Sequence, residues 1–156
     1  MQHIKLADDF EWNTYTKNFY LNEAISQLNS GPVLTIVDKV SMDNDNLLFP
    51  QGLHENYKYL YQDIVSKKVR SVFEVGCGGS HNLNNIKYLL KNFSKNYNKI
   101  GGIEYSEDQV KTMSKFLNVP KEITNYIIIG DASDESLALP LNFEYVFTNA
   151  VINSFS

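Results

Sequence analysis

The chain of 156 residues has a single cysteine, Cys77, so no internal disulfide forms within it and no thiolate cluster exists to hold zinc. Basic residues are few: 14 Lys and Arg stand against 18 Asp and Glu, a formal net charge of -4. No dense Lys/Arg stripe appears, which argues against a surface built for nucleic acid. The nearest approach, Lys67-Lys68-Val69-Arg70, reads as a solvated helix end. There is no run of 18 apolar residues, and the opening Met1-Gln-His-Ile-Lys-Leu-Ala-Asp-Asp9 is too polar for a signal peptide. A soluble, cytoplasmic protein without membrane partners is the expectation. Ser41-Met-Asp-Asn-Asp-Asn46 is rich in Asp and Asn but lacks the glycine and closing glutamate of a calcium loop, so it reads as a turn.

What is present fits a globular domain. Apolar residues make up 43% and aromatics 13% of the chain, and a chain of this length buries roughly 70% of its unfolded surface. Tyr15, Phe19, Leu21, Ala24, Ile25 and Leu28 recur at helical spacing over residues 14–28, stopped by Ser30-Gly31-Pro32. Val33–Val37 is apolar enough for a strand, and fits irregular packing equally well. Pro50 is placed to open a second helix through Lys67, with Leu53, Tyr57, Leu60, Tyr61, Ile64 and Val65 on its inner face.

From Ser71 the pattern alternates strand and helix. Val72, Phe73 and Val75 form a short buried strand that breaks at Gly76-Cys77-Gly78-Gly79, after which Leu83, Ile86, Leu89 and Leu90 resume helical spacing over about 82–92. A second strand is expected at 99–105. Ser106 caps the next helix, with Glu107 and Asp108 in its first turn, and Val110, Met113, Phe116 and Leu117 inside. A third strand follows at 126–129, closing on Gly130-Asp131, and a fourth at 145–147, closing on Thr148-Asn149. This order predicts a parallel α/β sheet. Residues 1–68 are expected to form an N-terminal helical cap and 69–156 the core, within one compact unit. With only Ala150–Ser156 beyond it, the fourth strand is expected to be a bare sheet edge. Either the chain is then a fragment, or a second copy of it or a C-terminal partner covers that edge.

Three acids fall at successive strand ends: Glu74, Glu104 and Asp131. Ligands of open α/β sheets lie just outside those ends. A glycine turn there brings bare backbone N–H groups to a ligand. A carboxylate after the second strand suits the vicinal hydroxyls of a ribose, and one after the third suits an exocyclic adenine amine; the alternative for Glu104 and Asp131 is that each simply caps the helix that follows. The dinucleotide pattern G-x-G-x-x-G fails at His81, where Gly or Ala is wanted, and no P-loop lysine follows.

These residues resemble class I S-adenosylmethionine-dependent methyltransferases. Glu74-Val-Gly76-Cys-Gly78-Gly-Ser80 is similar to the family's first motif, [DE]-x-G-x-G-x-G, with Ser80 in place of the last glycine. Gly102-Ile-Glu104-Tyr105-Ser is similar to the second, Gly130-Asp131-Ala132 to the third, and Phe143-Glu144-Tyr-Val-Phe147-Thr-Asn149 to the fourth, with Glu144 for the usual Asp. The resemblance spans about residues 70–152. It implies a Rossmann-like, doubly wound parallel sheet, incomplete at its C-terminus because the family's fold has three further strands. It also implies S-adenosylmethionine as cofactor and methyl transfer to a small molecule or carbohydrate. By the same resemblance Glu74, Gly76, Cys77 and Gly78 would face the methionine end, Glu104 and Tyr105 the ribose, Asp131 and Ala132 the adenine, with Asn149 beside them. Cys77 itself reads as a small buried filler, and His81 as a surface residue at a helix start. His54, Tyr15 and Trp12 are weaker candidates for the pocket wall. No residue stands out as catalytic. A module that binds the cofactor without catalysis, pairing through its exposed strand, is the alternative; an NAD-linked reductase is disfavoured by His81.

Overall fold

The computed structural model describes Asn22, Ser26 and residues 33–95, 97–137 and 142–149. Of the helix expected over 14–28, only Asn22 and Ser26 fall within these residues, and both are helical. Tyr15, Trp12 and the tail 150–156 lie outside them.

The described chain opens with a hairpin, β1 (Ser41–Asp43) paired antiparallel to β2 (Asn46–Leu48). Of the turn expected at 41–46, only Asn44 and Asp45 turn; the residues on either side pair as strands. Asn44 and Asp45 both adopt positive φ (47° and 70°), the backbone a two-residue hairpin turn requires and Asn and Asp tolerate. Val33–Val37 forms no strand. The amide of Asn85 takes the place of a ladder partner, accepting from the N–H of Ile36 (3.1 Å) and donating to the carbonyl of Leu34 (3.0 Å).

Helix α1 spans Glu55–Ser66 and starts later than Pro50 suggests, because His54 is its cap and accepts from the N–H of Asn56 through Nδ1. β3 (Ser71–Val75) is followed by α2 (His81–Leu89), which ends in one π-helical turn over Leu90–Ser94. β4 (Lys99–Glu104), α3 (Glu107–Phe116), the short α4 (Lys121–Thr124), β5 (Ile127–Ile129) and β6 (Tyr145–Thr148) complete the order.

The four longer-range strands form one parallel sheet in the order β5-β4-β3-β6. The chain steps outward from β3 to β5 and then returns to the other side of β3. This reversal is the topological switch point of a Rossmann-like sheet, beside which its ligands bind. It places the glycine turn after β3 at the centre of the C-terminal edge.

Packing fixes the rest. Tyr61, Ile64 and Val65 of α1, Val72 of β3 and Ile86, Leu89 and Leu90 share one apolar cluster with Ile36, Leu47 and Leu53. Cys77, Leu83, Ile100, Val119 and Ile123 form a second. Glu144 lies far from the strand ends that carry the glycine turn. It accepts from the N–H of Arg70 (3.0 Å) and pairs with its guanidinium (2.7 Å), tying the start of β6 to the start of β3. β6 is an edge of the described sheet, with Val146 60% exposed.

Candidate functional site

β3 delivers Glu74 to the sheet's C-terminal edge, and Gly76 and Gly78 then turn the chain with φ of 74° and 54°. Ser80 also adopts a left-handed backbone (φ 67°) and leads into α2 without capping it through its side chain. The turn is held against β4: the N–H groups of Gly76 and Cys77 both donate to the carbonyl of Ile103 (2.8 and 3.2 Å). Gly79 has no room for a side chain, since a Cβ there would lie 2.7 Å from the Cβ of Met113 on α3.

Glu104 reaches the same turn from β4. Its Oε1 accepts from the N–H of Gly78 (3.0 Å) and its Oε2 from the N–H of Ser106 (3.0 Å). Burial raises the pKa of this carboxyl, opposed by those backbone donors. The backbone of Tyr105 also bonds to this carboxylate; with about four acceptor positions, it keeps capacity for a ligand hydroxyl.

Asp131 stands one strand further out. Gly130 donates its N–H to the carbonyl of Glu104 (3.0 Å), which joins the end of β5 to the end of β4. The Asp131 side chain folds into its own loop, where Oδ1 accepts from the N–H (2.8 Å) and hydroxyl (2.6 Å) of Ser133. Ala132 is half-buried and Tyr105 is exposed.

Cys77 sits in the turn with its polar groups paired inside the protein. Its N–H donates to Ile103, its carbonyl accepts from Ser80 (2.9 Å), and its side chain is buried. It offers packing to the site, with no free polar group. Burial pushes its thiol pKa well up, with Glu74 and Glu104 adding to the effect, so the thiol stays protonated and unreactive.

Glu74 is 2% exposed. Its Oε2 accepts from Nδ2 of Asn82 (3.2 Å), while its buried Oε1 has no hydrogen-bond partner. Burial pushes its pKa up to about 8, against the Asn82 hydrogen bond and with Glu104 adding repulsion.

His81 is not the surface residue expected of a helix start. Some of the residue remains exposed, yet both ring nitrogens are closed off without a partner, and burial draws its pKa down to about 4. Its ring meets the Tyr57 ring edge-on at 6.2 Å. The Tyr57 hydroxyl in turn accepts from Nδ2 of Asn149 (3.2 Å), so α1 and the end of β6 meet over the site. His54 packs edge-on against the same Tyr57 ring at 6.4 Å.

Asn82, Asn85 and Tyr61 are additions that the apolar spacing conceals. Their signal is a pair of asparagines three apart on the inward face of α2, among Leu83, Ile86 and Leu89. Among the described residues no cluster of His, Cys, Asp and Glu is placed to hold a metal ion. No described helix is long and apolar enough to cross a membrane.

No family profile matches the chain, and no curated protein is found similar to it. The solved structures that resemble it include two at low identity. The crystal structure of Streptomyces venezuelae DesVI is 23% identical, over 61% of this chain and 37% of that one, with a TM-score of 0.39. The SAH-bound Podospora anserina methyltransferase PaMTH1 is 17% identical, over 85% of this chain and 58% of that one, with a TM-score of 0.48. The matched regions thus span less than two thirds of either structure's length.

Proposed function

We propose that the chain binds S-adenosylmethionine at the β3–β4–β5 strand ends and serves methyl transfer to a small molecule or carbohydrate. The observation that carries this is the grouping of a left-handed glycine turn, the buried Glu74, and Glu104 bonded directly to that turn. Motif resemblance supplies the identity of the ligand. The residues suit it: the orphaned oxygen of Glu74 favours a cationic ligand end nearby, and Glu104 retains acceptor capacity for a ribose hydroxyl. Asp131 and the backbone of Ala132 are assigned to the adenine.

When bound, the sulfonium supplies an already activated methyl group. What remains for the protein is alignment and exclusion of water. Glu104 holds the turn at Gly78, and Tyr57 with Asn149 bridges α1 to β6 over the strand ends. No residue is assigned as a base, since one is needed only where the acceptor must lose a proton.

A second reading, a cofactor-binding module without catalysis, draws on β6, an edge strand that exposes Val146. The test is equilibrium binding of S-adenosylhomocysteine against NAD, followed by transfer assays with labelled cofactor over a panel of sugars and small amines, phenols and alcohols. Binding of the homocysteine compound alone supports the adenosyl site. Transfer to a member of the panel supports the enzyme; binding with no transfer to any favours the module. Binding of NAD alone contradicts both.

A further inference from the structure

Glu74 lies at the end of a hydrogen-bond chain whose direction is set elsewhere. The backbone N–H of Ile36 donates to Oδ1 of Asn85 (3.1 Å), so Nδ2 of Asn85 is the donor to the Tyr61 hydroxyl oxygen (3.0 Å) and to the Leu34 carbonyl (3.0 Å). Tyr61 therefore spends its own hydrogen on Oδ1 of Asn82 (2.7 Å). Asn82 is left to donate from Nδ2 to Oε2 of Glu74 (3.2 Å). Reversing any amide in this chain would set donor against donor. Glu74 thus receives one hydrogen bond, from a neutral group, and its Oε1 receives none.

Beyond the Asn82 hydrogen bond, the surroundings of Glu74 offer no support for a negative charge among the described residues. From α1 come Tyr57 and Tyr61, from the turn the Cys77 thiol, and from β4 the like-charged Glu104. α2 contributes Asn82 and, at its start, His81, which burial keeps uncharged. On β6 its register partner is Phe147, and on β4 it is Gly102. Among the described residues Glu74 makes no ion pair. A buried carboxylate so placed is far more costly than the neutral acid.

We propose that Glu74 carries a proton in the unliganded protein and surrenders it when the ammonium end of the adenosyl amino acid binds, coupling binding to proton release. This rests on the adenosyl reading above. The O–H bond of the carboxyl breaks, the electron pair stays on the carboxylate, and the proton passes to the buffer. Direct contact is not required: a positive charge brought nearby into a poorly solvated site favours the ionised carboxyl. The pKa of about 8 that burial gives Glu74 is in keeping with a protonated group at neutral pH. Glu74 is here a positioning residue that titrates with occupancy.

Two measurements test this on the whole chain. Carbon-13 labelling of the glutamate carboxyls, with Glu74→Gln to assign the resonance, gives the titration of Glu74 directly. The expected midpoint lies near pH 8; a midpoint in the ordinary range, about 4.3, overturns the proposal. Calorimetry at pH 7 in phosphate and in Tris then counts protons. S-adenosylhomocysteine is expected to release close to one proton from the wild type and none from Glu74→Gln. Methylthioadenosine, which lacks the ammonium group, is expected to release none from either. Heats that do not differ between buffers for the wild type, or release that persists in Glu74→Gln, overturn it. If S-adenosylhomocysteine does not bind, the adenosyl reading fails and the coupling with it, while the carboxyl titration still decides whether Glu74 holds the proton.

Discussion

The carboxylate of Glu104 accepts the backbone N–H of Gly78 at 3.0 Å, across 26 residues of sequence. Its second oxygen accepts from Ser106, which in turn caps α3 by accepting from the N–H of Gln109 (3.1 Å). One side chain therefore pins the glycine turn to the start of the next helix. A charge-assisted bond of this kind contributes about 1.5–3 kcal/mol. The acid that the motif assigns to a ligand also shapes the loop that would receive it.

The turn is tight on the α3 side and loose at its tip, so two glycine substitutions should differ. In Gly79→Ala the new methyl meets Met113 at its Cβ (2.7 Å) and backbone carbon (3.1 Å), neither of which can swing aside. A loss of about 1–3 kcal/mol is expected from overpacking. In Gly78→Ala the nearest atom is the flexible end of Gln109 (3.2 Å), and the cost is the left-handed backbone, about 1 kcal/mol. Urea unfolding should rank Gly79→Ala as the less stable; the reverse order would contradict this packing.

Tyr61→Phe removes the middle of the buried chain from Asn85 to Asn82. Two amide groups then lose a partner with no water to replace it, at a cost of about 1–3 kcal/mol. Thermal unfolding should show a clear drop, and amide exchange at Ile36, held by Asn85, should speed up. An unchanged melting temperature would mean that the chain contributes nothing.

Stability should fall as pH rises through neutrality. The folded pKa of Glu74 is raised to about 8, so its contribution is fully present below the ordinary carboxylate pKa and is lost as pH climbs towards 8. Glu104, also raised by burial, acts in the same direction. The slope is at most about 1.4 kcal/mol per pH unit for each such group. Glu74→Gln, which cannot ionise, should flatten the wild-type curve of unfolding free energy between pH 5 and 8. Parallel curves for the two proteins would contradict the assignment.

The core from β3 onward was legible because each strand carries a short apolar run and each helix a 3.6-residue pattern, with Ser106 and the glycines as punctuation. The sheet is parallel as that alternation predicts. The hairpin at 41–48 was not, since three-residue strands carry almost no periodicity and Asn44-Asp45 reads equally as any turn. The choice between strand and irregular packing at Val33–Val37 could not be made locally, because the backbone there bonds to the side chain of Asn85, a tertiary contact without local trace. The strand-end acids Glu74, Glu104 and Asp131 could be placed from position alone. The burial of Glu74, the enclosure of His81 and the Tyr61–Asn82 bond depend on α1 crossing α2, which no local pattern reveals.

Calorimetry with S-adenosylhomocysteine tests the adenosyl site at Gly78 and Glu104 most directly. Saturable binding to the wild type is predicted, weakened by at least ~1 kcal/mol, about fivefold, in Glu104→Ala. No binding heat from folded wild-type protein, or equal affinity in the two, would contradict it.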